Sequence, residues 1–369
     1  MTRKKPTKLQ LAQEASESAI SKTNEKIVEL GNNTSSLYDS LTSLQDVFDQ
    51  IRGIPSETKL QYEELKRIRL NWRHQAEVIE KRFREAAGKN AGAFAAGAGV
   101  GVAVAAMGPS VAMGVATTFG VASTGTAIST LSGAAATNAA LAWLGGGAVA
   151  AGGGGMVAGK FVLFMCGPVG ISIAIVSLLT SGILIWKNAT DKKHIEEVFI
   201  SICERDEKAY DLSVVELNER ITRIVDESSK LSCAIEEIKT FGLDYDSMTE
   251  QQKYELGSYV NLMNASTQLL VNPIMGLQPR YNQADFDDYI SWIDRKADMI
   301  QCMDRRDLII SLANLLYKIE LNDRDKKLLW KSMRENKEML KSMDITKKDF
   351  DISILDAVCE ALEYKYSNG

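Results

Sequence analysis

Residues 20–51 read ISKTNEKIVELGNNTSSLYDSLTSLQDVFDQI, and the spacing within them decides the fold class. Ile20, Thr23, Ile27, Leu30, Thr34, Leu37, Leu41, Leu44, Phe48 and Ile51 follow steps of three and four, which puts them on one helical face and predicts a coiled-coil seam. The surface between them is Ser, Asn, Asp, Glu and Lys. Arg52-Gly53-Ile54-Pro55 then stops the helix, because Gly favours a helix end and Pro cannot continue the ladder.

Outward from that turn, Ser56 and Glu57 open a second helix with Leu65, Ile68, Trp72, Ala76, Ile79 and Phe83 as its apolar stripe. It is expected to fold back on the first. A long helix of matching period is predicted from about 188 to 241, with Tyr210, Val214, Leu217, Ile221, Ile224, Ser228, Leu231, Ile235 and Ile238 at its seam. Gly242 breaks it, and Thr249 with Gln252 forms a capping box for a fourth helix running to about Leu270. Residues 284–369 read as four short helices. With six prolines and almost no alternating Val/Ile/Thr runs outside the centre, there is little room for sheet, and the expected class is all-α.

The centre is a different kind of sequence. Of 27 glycines, 20 fall within residues 91–186, and Lys160 is the only charged residue between Lys89 and Lys187. The stretch FVLFMCGPVGISIAIVSLLTSGILIW, from Phe161 to Trp186, is uncharged over 26 residues, where about 20 cross a hydrocarbon core of about 30 Å. Lys160 and Lys187 bracket it, Trp186 suits an interfacial position, and Pro168 is tolerated as a kink. The first stretch, AGAFAAGAGVGVAVAAMGPSVAMGVATTFG, is also long enough to span, and Gly97 with Gly101 has the i, i+4 spacing that brings helix backbones together. Between them lies a Ser, Thr, Gly and Ala-rich stretch around Trp143 that runs into Gly155 and Gly159, which suits a re-entrant hairpin, a pore lining or a buried tongue.

A buried core inside a soluble shell is disfavoured for these residues, because each helical Gly costs about 1 kcal/mol relative to Ala and provides no side chain for a water-driven core. The expectation is a lipid-bilayer segment, permanent or conditional. Arg82, Arg84 and Lys89 belong to a run from Lys66 to Lys89 with eight basic against three acidic residues, and Lys187 follows on the far side. Under the positive-inside rule both flanks are cytoplasmic and the number of crossings is even. The two long heptad helices then emerge on one side, where they are expected to pair antiparallel as a stalk. The predicted divisions are 1–90, an N-terminal helical hairpin; 91–187, the membrane-inserting segment; 188–278, the returning helix and the fourth helix; and 279–369, a small C-terminal bundle.

Catalytic and cofactor chemistry finds no support. Gly154 to Lys160 satisfies G-x-x-x-x-G-K, but Phe161 replaces the hydroxyl that holds Mg²⁺ in a phosphate-binding loop, and no strand precedes it. His74 and His194 have no second ligand at metal spacing, and the five cysteines are widely scattered. The basic start, MTRKKPTKLQLAQEAS, has no following apolar stretch, so no secretory signal is expected. No enzyme activity, cofactor, metal or nucleic-acid partner is expected.

A long helical hairpin, a Gly/Ala-rich apolar insertion and a returning long helix, over about residues 9–270, resemble the α-helical pore-forming toxins of the cytolysin A and haemolysin BL type. The insertion here is longer than a tongue of that family, and its last third reads as an ordinary span. The resemblance implies an apolar element sheltered in the soluble form and released into membrane on assembly, hence a homo-oligomer and a pore. The string from Ser123 to Gly155 also resembles glycine-zipper hairpins of bacterial membrane proteins. The turn Glu320 to Asp325 is similar to the helix-turn-helix of TerB-like domains, without the Asp-Gly pair of that turn. A membrane-anchored scaffold recruiting a protein partner through the C-terminal bundle is the competing expectation.

Overall fold

The computed structural model describes residues 6–89, 109–119, 188–335, 340 and 345–368. The described residues are helical apart from turns and one isolated bridge, and they carry no strand. Helix α1 (Lys8–Gln50) is longer than the seam alone required. It begins at a capping box in which Thr7 accepts from the Gln10 N–H and the Gln10 side chain accepts from the Thr7 N–H, so two otherwise unpaired donors are satisfied. All ten predicted seam positions are buried. The two threonines among them cost little, because Thr23 and Thr34 donate their hydroxyls to carbonyls one turn back in their own helix.

After Gly53, whose φ of +78° only glycine adopts readily, α2 (Ser56–Lys89) runs back along α1. The antiparallel register is fixed by Phe48 against Tyr62, with ring centroids 5.4 Å apart, and by Tyr38 against Trp72 at 5.8 Å. Helix α3 (Pro109–Phe119) comes from the apolar segment. Helix α4 (Ala189–Ile238) and helix α5 (Glu250–Val271) form a second antiparallel pair. Tyr259 donates to Glu237 and Ser266 to Glu227, while Arg220 caps the far end of α5 at the carbonyls of Leu269 and Asn272. The Thr249 capping box of α5 is formed. Together α1–α5 enclose one apolar core.

The two long heptad helices do not pair antiparallel. At one end Leu9 of α1 shares a core with Ile195 and Phe199 of α4. Past the other end the Arg52 N–H donates to the Leu243 carbonyl at 2.9 Å, and the Tyr245 N–H to the Arg52 carbonyl at 2.9 Å. Helices α1 and α4 therefore run parallel. A heptad pattern fixes which face is buried but not the partner's direction, and the short turns after α1 and α4 already give each an antiparallel neighbour. Because α2 returns toward the end where α4 begins, the apolar segment leaves and rejoins the body on the same end.

Residues beyond 278 form α6 (Gln283–Ser291), α7 (Met299–Asp304), α8 (Arg306–Leu316), α9 (Asp323–Glu335) and α10 (Ile352–Asn368). Their core is built jointly with Ile195, Val198, Phe199, Ile202 and Cys203 of α4. A buried polar joint locks the two together. Asn314 accepts from the N–H groups of Arg280 and Tyr281 and donates to the carbonyls of Tyr281 and Ile310. Arg205 donates to the carbonyls of Leu315 and Tyr317 and pairs with Asp206, which also meets Arg280.

Leu37 and Ile224 are both 0% exposed. Leu37→Asp or Ile224→Asp, each burying a carboxylate without a partner, is expected to cost about 3–5 kcal/mol, whereas Leu60→Asp on the open face of α2 stays within about 0.5 kcal/mol. Chemical denaturation followed by circular dichroism separates the two, and equal midpoints for all three variants contradict the assigned seam.

Candidate functional site

The site is the place where the apolar segment enters the helical body. Pro109 suits the first turn of α3, where its missing N–H costs nothing, and the helix runs for 11 residues. That is about 16 Å at 1.5 Å per residue, half of what a bilayer core needs. Residues 111–118 are all buried, so α3 has no face for water. An all-round buried helix of this kind depends on its neighbours for stability.

Those neighbours are α1, α2 and α5. The tightest contact is made by backbone. A methyl group added at Gly114 would stand 2.1 Å from the Ile27 carbonyl oxygen, 3.0 Å from the Gly31 nitrogen and 3.1 Å from the Gly31 Cα. No side chain fits at Gly114 while α3 keeps this position. Gly31 is the one glycine of α1, and its place against Gly114 explains why the position next to Leu30 carries no side chain. Above this crossing Arg73 of α2 approaches the Met113 sulfur at 3.6 Å, pairs with Glu77 at 3.1 Å and lies over the Tyr38 ring.

The C-terminal end of α3 is held by a clasp. The Thr118 carbonyl accepts from the Ile274 N–H at 2.8 Å and from the Gln278 side-chain amide at 3.2 Å, which satisfies one of the acceptors a helix end leaves open. Ile274 and Leu277 are buried. The loop between α5 and α6 is itself anchored on α4, where the Glu216 carboxylate accepts from the Gly276 N–H at 2.9 Å and Arg220 donates to the Asn272 carbonyl at 2.8 Å. Burial lowers the Arg220 pKa from its usual value. Met275, between the two anchors, is 70% exposed.

Burial pushes the Cys203 thiol up to about 12 and raises those of Cys302 and Cys359, so these sulfurs are poor nucleophiles. Among the described residues no group of three His, Cys, Asp or Glu is placed to hold a metal. His74 is exposed, while His194 faces Asp325 at 3.3 Å beside the Arg324–Asp191 pair, a contact between α4 and α9 that the sequence did not announce.

Of the residues singled out from sequence, Gly97, Gly101, Trp143, Gly155, Gly159, Lys160, Phe161, Pro168, Trp186 and Lys187 lie outside the described residues. Arg82, Arg84 and Lys89 fall on the last turns of α2. Among the described residues no helix is long and apolar enough to cross a membrane. Residues 109–119 of the first stretch, read as span-length, form α3 in the body, and the rest of that stretch lies outside the described residues. No protein-family model, curated protein or solved structure matches the chain.

Gly114→Val should expel α3 from its cradle. Amide exchange across 109–119 is expected to rise about tenfold or more, since overpacking against backbone costs at least 1–3 kcal/mol. The α6–α10 peptides should keep their protection. Gly257→Ala, in open space on α5, is the matched control and should stabilise by about 0.5–1 kcal/mol. Unchanged protection of 109–119 in Gly114→Val contradicts the close crossing.

Proposed function

We propose that this chain is a non-enzymatic membrane-inserting protein that keeps part of its apolar segment inside a helical body, releases it at a membrane and oligomerises there to form a pore or disrupt the bilayer. The observation that carries the reading is α3: residues from a Gly/Ala-rich apolar segment are packed against α1, α2 and α5 through a backbone crossing at Gly31 and Gly114. Helices that approach through small residues pack well in lipid too, where no water-driven core exists. The same surface therefore serves a sheltered and an inserted state. The resemblance to cytolysin A and haemolysin BL toxins supports the same sequence of events, with toxin or phage-defence effector as the expected class.

On this reading the partners are a lipid bilayer and further copies of the chain, and Gly97 and Gly101 form the face on which inserted copies meet. The flanks Arg82, Arg84, Lys89 and Lys187 stay on the cytoplasmic side, and residues 161–186 supply the span. A second reading, a membrane-anchored scaffold, is favoured by one feature of the C-terminal bundle. Ile293, in the loop after α6, is 95% exposed and Ile300, in the first turn of α7, 73%; Glu360 anchors the loop between them by accepting from the Lys296 and Ala297 N–H groups and from the Tyr289 hydroxyl. A stiff apolar tip of this kind suits a protein partner.

Gly97→Leu/Gly101→Leu keeps the segment apolar while separating the backbones. The double variant should remain in the membrane pellet after alkaline carbonate extraction, yet lose cross-linked oligomers and the collapse of membrane potential expected on expression of the wild type. Full depolarisation by this variant would remove Gly97 and Gly101 from the assembly. For the scaffold reading the decisive variant is Ile293→Asp, which should abolish capture of a specific partner without touching membrane potential.

A further inference from the structure

The loop that holds α3 also presents an apolar side chain to the outside. Ile274 is 3% exposed and donates its N–H to α3, while its neighbour Met275 is 70% exposed. Gly276 is pressed onto α4, where an added methyl would stand 2.9 Å from the Ser213 hydroxyl and 3.0 Å from the Glu216 carboxylate. Met275 is thereby set beside the turn of α4 that carries Leu212, 59% exposed, and Val215, 62% exposed. The exposure of Met275 is enforced from both sides, since Glu216 grips Gly276 and the buried Ile274 and Leu277 flank it.

We propose that Met275, Leu212 and Val215 are the surface by which the protein first meets a bilayer, and that the loop 272–278 transmits this contact to α3. The inference rests on the membrane-insertion reading above and names its trigger. Lipid is the occupant because the surface adjoins the end of α3, from which the chain continues into its longest uncharged stretches. The neighbouring exposed charges on α4, Lys208, Asp211 and Glu219, are of mixed sign, so the contact is apolar rather than a basic patch for anionic lipid. Glu216 and Arg220 are already engaged by the loop. Partitioning of Met275 into the acyl boundary displaces the loop from α4, and Ile274 and Gln278 then withdraw from the Thr118 carbonyl. The C-terminal end of α3 is left with an unsatisfied acceptor in an apolar cradle, which favours its departure.

Flotation of the full chain with neutral phosphatidylcholine vesicles, combined with amide exchange over 109–119, tests this. The wild type should float and lose protection at 109–119. Met275→Glu should weaken vesicle binding by about tenfold or more, with protection in vesicle-free buffer unchanged, and Met275→Leu should match the wild type. Gly114→Val/Met275→Glu should regain flotation, because α3 is already free. Met275→Glu floating as well as the wild type overturns the trigger. So does a loss of protection at 109–119 without vesicles, which makes Met275 a support covered by the chain itself, and so does a change in sedimentation, which assigns the surface to a second copy. Failure of both the wild type and Gly114→Val to float overturns the membrane reading itself.

Discussion

The backbone of α3 lies on the backbone of α1 at Gly114 and Gly31, and the shape of the body follows from that approach. With a methyl group 2.1 Å from the Ile27 carbonyl at this crossing, α3 cannot stay. Without α3, the cradle formed by α1, α2 and α5 faces water with part of the core uncovered. A crossing made of backbone rather than large side chains is weak in hydrophobic terms, because it removes little apolar area, and strong in dispersion terms, because many atoms meet closely. Such contacts lose little on transfer from water-surrounded protein to lipid, whereas a Leu-rich core loses its driving force there. The choice of Gly, Ala and Val over Leu in residues 109–119 is intelligible as a requirement to pack in both solvents.

The body, α1–α5, and the base, the α6–α10 bundle with the start of α4, both bury polar groups. Among the described residues, Asn24 Oδ1, Gln45 Oε1, Arg69 Nε and Nη1, Trp72 Nε1, Thr117 Oγ1, Ser228 Oγ and Thr267 Oγ1 in the body, and Asp325 Oδ1 in the base, are buried without hydrogen-bond partners. Each group of this kind costs about 1–3 kcal/mol. Burial lowers the Arg69 pKa, and its guanidinium carbon lies 6.0 Å from the centroid of the Tyr38 ring. In the base, Asn314 uses both its oxygen and its nitrogen fully, and Arg205 is shared among two carbonyls and a carboxylate. Of the unpartnered groups Thr117 lies on α3, the helix that the proposed function withdraws.

The helical class and the buried faces were legible in the sequence because period alone carries them. Every predicted position of the α1 seam is buried, and the Thr249 box caps α5 as its residues implied. Direction was not legible: the same heptads on α1 and α4 serve a parallel or an antiparallel pair equally. The cradle was legible only in retrospect. Gly31 stands beside the seam residue Leu30 in a helix with no other glycine, and Pro109 marks a helix start inside a stretch that reads as one span. Both signals are local, whereas their meeting is a contact between residues far apart in sequence. The clasp had no signal at all, since a backbone carbonyl and a backbone N–H are the same in every residue.

The parallel arrangement of α1 and α4 also decides what can move. The base grips the start of both helices, through Leu9 beside Ile195 and Phe199 and through the Arg324–Asp191 and His194–Asp325 contacts. The far ends are tied by the bridge between Arg52 and the strand-like residues after Gly242, whose φ of +86° lets the chain turn there. Helices α1 and α4 are thus fixed at both ends, and neither can separate without breaking a satisfied network. Helix α3 is held by the burial of Val111, Ala112, Met113, Val115 and Ala116 in the core, by the glycine crossing, by a sulfur contact and by two hydrogen bonds to the Thr118 carbonyl. On the proposed reading, the rearrangement leaves the α1–α4 frame standing and withdraws α3, which is the element that belongs to the apolar segment.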